Sequence, residues 1–335
     1  GKILKKNIKI IKLIKPNKIE LILNYLSIFV PANLIKFLLS KLSSNVRTLN
    51  SSKCDYLIFP SQENIASKIN IKSITMIHDL MHRYERNFKE YDFLTRFKRD
   101  ILYRQICNHS YKIIVDSSIG KKQVMESYNI RKKKVLISEF EVPHYLKKSK
   151  IKNIFKKYSL PRRNFIFYPA QFWEHKNHIN LLKAFNLIQK KIKNINLVLV
   201  GVNKNSLIDE KIEIDKLNLS KKIFILGYVS QNDMYSFYKK ASLTSFVSFC
   251  GPTNIPPLEA MFTGCPLICS NAYGMKKQIK GGGLLINPSS YGDIYKKIIL
   301  VLKDKKIKKR IIRRGFEVTS IINKTKFLKQ LDRYF

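Results

Sequence analysis

Glycine is scarce where phosphate-binding loops usually need it: between residues 2 and 200 the one glycine is Gly120. That excludes a glycine-rich phosphate cradle from the first half, because such a loop brings backbone against phosphate without a Cβ in the way. No G-x-x-x-x-G-K-[ST], G-x-G-x-x-G or H-E-x-x-H occurs in the 335 residues, so the P-loop, dinucleotide and zincin signatures have no carrier. A D-x-D is also missing, so an acidic pair chelating a metal-diphosphate is not on offer in that form. Five cysteines, at 54, 107, 250, 265 and 269, make no C-x-x-C pair. An odd, scattered set in apolar surroundings points to buried thiols in a reducing compartment rather than to a disulfide framework. A long apolar run is lacking too. The basic start KILKKNIKIIKLIK has lysine breaking each run before a signal-peptide core forms. Leu21–Leu39 is interrupted by Asn24, Ser27, Pro31, Asn33 and Lys36, which is too broken for a spanning helix. It reads as a core helix, or as one lying flat on a membrane. Acidic residues are few: 23 Asp and Glu stand against 64 Lys and Arg, a formal charge of +41. Such a surface attracts polyanions, either nucleic acid or anionic lipid. Compositional drift is the other explanation, since Lys, Ile and Asn recur throughout.

A chain of 335 residues with 45% hydrophobic and 26% charged residues suits a globular protein of two domains. A Lys-rich segment after Lys147 separates two regions, predicting domains at 1–147 and 148–320, with a C-terminal helix over 321–335 that packs back on the first domain. In the second region short apolar runs alternate with helical patterns: Phe165–Ala170, Ile195–Gly201, Lys222–Val229, Thr244–Phe249, Pro266–Ser270 and Leu284–Asn287 read as strands. In the first, Tyr56–Pro60, Ile74–His78, Lys112–Asp116 and Lys134–Ser138 read as strands, and Asp92–His109 and Ile119–Tyr128 as helices. Alternation of this kind predicts an α/β protein of two Rossmann-like halves, each with a parallel sheet, and a cleft between them.

Two stretches carry chemistry. In FVSFCGPTNIPPLEAMFTGCPLICSN a strand breaks at Gly251, Pro256 and Pro257 suit the first turn of a helix, and Glu259 is expected in that same turn. Ligands of open α/β sheets bind at such carboxyl ends; alternatively Glu259 only offsets the helix dipole. In YPAQFWEHKNHINLLKAF a strand ends at Ala170, a loop carries Gln171, Trp173 and Lys176, and a helix starts near Asn177. Lys176 therefore sits by a helix N-terminus, where a cation and peptide dipoles together can neutralise a diphosphate. His78 and His82, and His175 and His178, have spacings that allow two metal ligands, but no third ligand fits. His78, directly after SITMI, is expected at a strand's carboxyl end.

Taken in order, YPAQFWEHKNHINLLKAF, LVLVG, ILGYVSQNDMYSFYKKASLTSFVS and GPTNIPPLEAMFTGCPLICSN resemble the nucleotide-sugar-binding domain of retaining GT-B glycosyltransferases of family 4. The upstream IHDLMH and YKIIVDSS are similar to that family's acceptor domain. The resemblance implies a GT-B fold, a nucleotide-sugar donor (UDP- or GDP-sugar), and no metal or other cofactor. By position it implies that Glu259 bonds the donor ribose, that Lys176 meets the diphosphate and that His78 lies beside the transferred sugar. Tyr273, Gly274 and Met275 would face diphosphate and sugar through their backbone, with Gly201 and Gln171 also on the donor side. The chain departs from the family pattern at several points. Gly251 stands where the first motif glutamate belongs, so Thr253 and Asn254 are expected to reach the sugar in its place. Gln171 replaces an arginine, Lys277 stands where a glutamate often follows, and the N-terminal glycine-rich loop is absent, as if the first strand were truncated or replaced.

The resulting expectation is a cytoplasmic enzyme, peripheral on the inner face of the membrane, moving a sugar to a surface-glycan or lipid-linked acceptor with retention. The acceptor and an anionic membrane surface are the expected partners. No nucleic acid is expected, because no aromatic-basic RNA motif, zinc module or helix-turn-helix stands out. A basic nucleic-acid-binding protein, and a non-catalytic homologue that only binds the nucleotide-sugar, are the competing readings.

Overall fold

The structure, a computed structural model, describes residues 9–27, 30 and 32–322. Its described residues divide into two compact units, the first over the chain up to Arg86 and Tyr91–Glu139, the second comprising Asn87–Glu90 and the described residues from Phe140 to Ile322. The second unit thus begins ahead of residue 148 and includes a short excursion from far upstream. The last described helix is Lys305–Ile322; the rest of the helix expected over 321–335, and the start of the chain, where the first strand was expected to be truncated or replaced, lie outside the described residues.

The first unit has a four-stranded parallel sheet in the order β1 (Tyr56–Phe59), β2 (Lys72–Met76), β3 (Lys112–Val115), β4 (Val135–Ile137). Its core packs the helices Phe93–His109 and Ser118–Tyr128 onto one face through Tyr103, Ile106, Cys107, Val124 and Tyr128. Asp92 and Ser117 start these helices, each side chain accepting from an amide three residues on. The Leu21–Leu39 stretch is divided between two helices, Lys18–Leu26 and Ala32–Leu42. Leu23, Ile35 and Leu39 face a core with Val46, whereas Ile22, Leu26, Leu34 and Phe37 are exposed. Among the described residues no helix is long and apolar enough to cross a membrane.

The second unit has a six-stranded parallel sheet: β5 (Asn164–Pro169), β6 (Ile195–Val200), β7 (Ile223–Ile225), β8 (Leu243–Phe246), β9 (Leu267–Ser270) and β10 (Leu284–Ile286). Its spatial order is β10-β9-β8-β5-β6-β7, the doubly wound arrangement in which the chain leaves β5 in one direction and returns to its other side. The runs are continuous rather than alternating because helices cover both faces: β6, β8 and β9 are buried at every residue. Beneath them Phe167 stacks on Phe237 at 5.4 Å and meets Tyr238 edge-on at 5.1 Å, and each such fully buried aromatic contributes on the order of 2–3 kcal/mol. Strand β8 stops at Phe246, short of the expected Phe249, because Phe249 donates its amide to His175 O at 2.9 Å instead of to the ladder.

Candidate functional site

Strands β5 and β8 are neighbours but not consecutive, so their carboxyl ends form the switch point of the second sheet, where doubly wound folds take ligands. The loop after β5 makes one turn of 3-10 helix, Glu174–Lys176, before the helix His178–Lys191. Between them Asn177 adopts φ 63°, a left-handed conformation that asparagine tolerates well. Its Nδ2 donates to Val247 O at 2.9 Å and to Pro288 O at 2.7 Å, clipping the loops after β5, β8 and β10 together. The His175 carbonyl accepts from Phe249 N at 2.9 Å and Ser248 Oγ at 3.2 Å, and Tyr168 Oη donates to Lys176 O at 2.6 Å. Lys176 is thereby held at the switch point, half-buried, with Nζ 5.8 Å from the centre of the Phe246 ring at the end of β8.

The loop after β8 is shaped around Asn254. Gly251 has φ 117°, and a Cβ there would lie 2.6 Å from Asn254 Nδ2. Asn254 is held by the side chain of Gln278, which accepts from its amide at 3.0 Å and donates to its carbonyl at 2.7 Å. Its Nδ2 reaches Met275 Sδ at 3.3 Å. The expected residues Asn254 and Met275 are therefore brought together, with half-buried Thr253 one residue away. Tyr273 is left-handed (φ 47°) and leads through buried Gly274 to Met275, which is buried and donates its amide to Ala272 O at 3.1 Å. Lys277 is exposed on the short helix Met275–Ile279.

Gly201 ends β6 pressed on the neighbouring loop: a Cβ would fall 2.1 Å from Ala170 O. Gln171 is exposed and its Oε1 accepts from Trp173 Nε1 at 2.9 Å. Sequence reasoning missed Lys204, whose Nζ lies 5.2 Å from the centre of the Trp173 ring, the ring whose Nε1 donates to Gln171.

Glu259 requires a correction. The helix runs Ile255–Thr263 with Asn254 capping it, so Glu259 is in the second turn, not the first, and is buried. Burial pushes its pKa up, while hydrogen bonds from Tyr145 and Tyr238 oppose that. A dipole-balancing carboxylate would be solvated in the first turn; this one is not.

In the first unit His78 follows β2, with Nε2 3.1 Å from Pro60 O. His82 is buried edge-on against Tyr103 at 5.1 Å, and burial followed by the nearby Arg99 charge brings its pKa down to about 4. His178 is stacked on Phe172 at 4.5 Å, its pKa pushed down to about 3 mainly by burial. Among the described residues no three His, Cys, Asp or Glu side chains group as a metal site.

The excursion Asn87–Glu90 was invisible in the sequence. Glu90 accepts from His175 Nδ1 and, at 3.2 Å, from its amide, and from Asn205 Nδ2 at 3.0 Å. Burial alone would raise the Glu90 pKa, but these bonds bring it down to about 2. Phe88 packs against His175 and Phe249 at 6.1 and 5.7 Å, and Lys89 pairs with Asp209 at 2.8 Å. No motif signals these contacts, because every one of them joins residues at least 85 positions apart.

Residues 149–318, just over half of the chain, match the family model for glycosyl transferases group 1. O-antigen chain mannosyltransferase B of Escherichia coli is 27% identical over 45% of this chain and 40% of its own length. O-antigen chain mannosyltransferase RfbU of Salmonella typhimurium is 26% identical over 54% and 47%. The chain thus spans under half the length of these curated relatives. Among solved structures, sucrose-phosphate synthase from Thermosynechococcus elongatus superposes with a TM-score of 0.73 at 17% identity, covering 91% of this chain and 80% of that one. Anabaena HepE in complex with UDP-glucose gives 0.70 at 16% identity over 95% and 97%. These are GT-B glycosyltransferase structures, and the two parallel sheets found here have that fold. The chain belongs to the glycosyl transferases group 1 family.

Proposed function

We propose that this chain transfers a hexosyl unit from a UDP- or GDP-sugar to a surface-glycan or lipid-linked acceptor, with retention of anomeric configuration and without a metal ion. The O-antigen mannosyltransferase relatives favour mannose and a polysaccharide acceptor, and UDP-glucose in the structure of HepE supports a nucleotide-sugar donor. The observation that carries the reading is Lys176, fixed at the switch point beside the N-terminus of the His178–Lys191 helix. As the bond from the sugar to the diphosphate breaks, negative charge grows on the leaving group; a fixed ammonium and the helix dipole stabilise it more than they stabilise the ground state. In this reading Glu259 accepts from the ribose hydroxyls, and the loops Thr253–Asn254 and Tyr273–Met275 border the diphosphate and sugar. Gly201 and Gln171 complete the donor side, and His78 serves the sugar. Gly251 carries no carboxylate, which suits a reaction that proceeds without a protein nucleophile.

The exposed Ile22, Leu26, Leu34 and Phe37, flanked by Lys18, Lys36 and Lys41, support a peripheral seat on the inner face of an anionic membrane. A thermal-shift panel of UDP-, GDP-, ADP- and CMP-sugars, followed by assay of nucleoside diphosphate release, tests the function. One donor class is expected to raise the melting temperature and to be consumed. Binding without transfer or hydrolysis would identify a non-catalytic homologue instead, and no binding would overturn the proposal.

A further inference from the structure

Both carboxylate oxygens of Glu259 are engaged by phenols. Tyr145 donates to Oε1 at 2.6 Å, and Tyr238 donates to Oε2 at 2.6 Å. These donors come from separate elements, the short helix His144–Lys148 and the helix Gln231–Lys240. Tyr238 is wholly buried, whereas Tyr145 is half-buried. Both distances are short for O–H donors and suit an ionised carboxylate acceptor. A glutamate has three rotatable torsions, and gripping two neighbouring hydroxyls requires the plane of its carboxylate to be fixed beforehand. Each carboxylate oxygen accepts about two hydrogen bonds, so the phenols leave one acceptor on each.

We propose that Tyr145 is a positioning residue for nucleotide recognition: together with Tyr238 it sets the plane of the Glu259 carboxylate so that the remaining acceptors meet the vicinal hydroxyls of a ribose. This rests on the reading of Glu259 as the ribose acceptor given above. Burial works against the charge on Glu259 and the two phenols work for it, so removing one hydroxyl weakens both the orientation and the ionised state. The neighbouring Lys239 takes no part, its Nζ donating to Thr263 O at 3.1 Å.

The test measures dissociation constants by titration calorimetry for UDP and GDP and for their 2′,3′-dideoxy counterparts, which lack the two hydroxyls. The wild-type chain is expected to prefer the ribonucleotide by about tenfold or more, because a site built to bond hydroxyls rejects a ligand without them. Tyr145→Phe is expected to cut that preference to about a third or less while leaving dideoxynucleotide binding within about twofold. Tyr145→Met, lacking both ring and hydroxyl, is measured alongside and should show the same loss; melting temperatures check that each variant folds. No ribose preference in the wild type, or an undiminished one in Glu259→Gln, would overturn the reading of Glu259 itself. A preference lost in Glu259→Gln but kept in both Tyr145 variants would overturn the role of Tyr145 alone, as would equal weakening of ribo- and dideoxynucleotides.

Discussion

At Gly251 the backbone takes φ 117° and the Asn254 amide lies where a Cβ would go, so a side chain there would be strained and would have to displace Asn254. The loop is instead shaped around Asn254, and under the proposed function Lys176 is the cation that meets the leaving diphosphate. Lys176→Ala is expected to lower kcat by about 10²–10³, with donor affinity falling much less and Lys176→Arg recovering part of the loss. Initial rates at saturating donor check this, and a kcat within twofold of wild type would remove Lys176 from the chemistry. Lys176 was legible because two local signals, a strand end and a helix start, bracket it. The Glu259 environment was not: Tyr145 and Tyr238 lie 114 and 21 residues away, and nothing local announces a hydroxyl arriving from another helix. Its turn was misplaced for a simpler reason. The prolines were read as marking the start of the helix, whereas Asn254 is the cap and Ile255 the first helical residue.

Elements were easier to read than their contacts. Strands β5, β6, β8 and β9 are largely buried on both faces, so each reads as a short run without polar alternation; β7 stops at Ile225, short of the expected Val229, because the residues after it, Leu226–Val229, stay largely apolar and carry no signal of the strand's end. The helix His178–Lys191 holds a further consequence at its start. His178 Nδ1 lies 3.7 Å from Glu210 Oε1 on the Leu207–Lys216 helix, with both side chains buried. Burial lowers the His178 pKa to about 3 and raises that of Glu210 to about 7. As pH falls from 6.5 to 4.5, unfolding makes His178 take up a proton and Glu210 release one, so their effects on stability cancel. Glu210→Gln removes the second term. Relative to wild type, that variant is expected to lose a further ~1.4 kcal/mol of stability per pH unit over this window. Urea unfolding at pH 7, 5.5 and 4.5 measures it, and parallel curves for the two proteins would show that Glu210 is not held protonated in the folded state.

Across the whole molecule the formal charge of +41 sets long-range behaviour that no single site explains. Co-sedimentation with vesicles is expected to require anionic lipid and to fall steeply between 0.05 and 0.5 M salt, since roughly threefold shortening of the screening length accompanies that change. Phe37→Ser should weaken binding at fixed salt by removing an exposed ring from the Ala32–Leu42 helix; binding indifferent to lipid charge would defeat the membrane proposal. The split into two α/β units was legible from the alternation of runs, but not the assignment of Asn87–Glu90 to the second. That assignment bears on how the protein is made. Glu90 leaves the ribosome well before the histidine it will bind, so the second unit cannot be completed from a transcript that begins at Phe140. A fragment cut at that point would expose His175 and the ring of Phe249 where Phe88 had lain, and tethering residues 87–90 back onto its N-terminus is the way to make the excised piece whole.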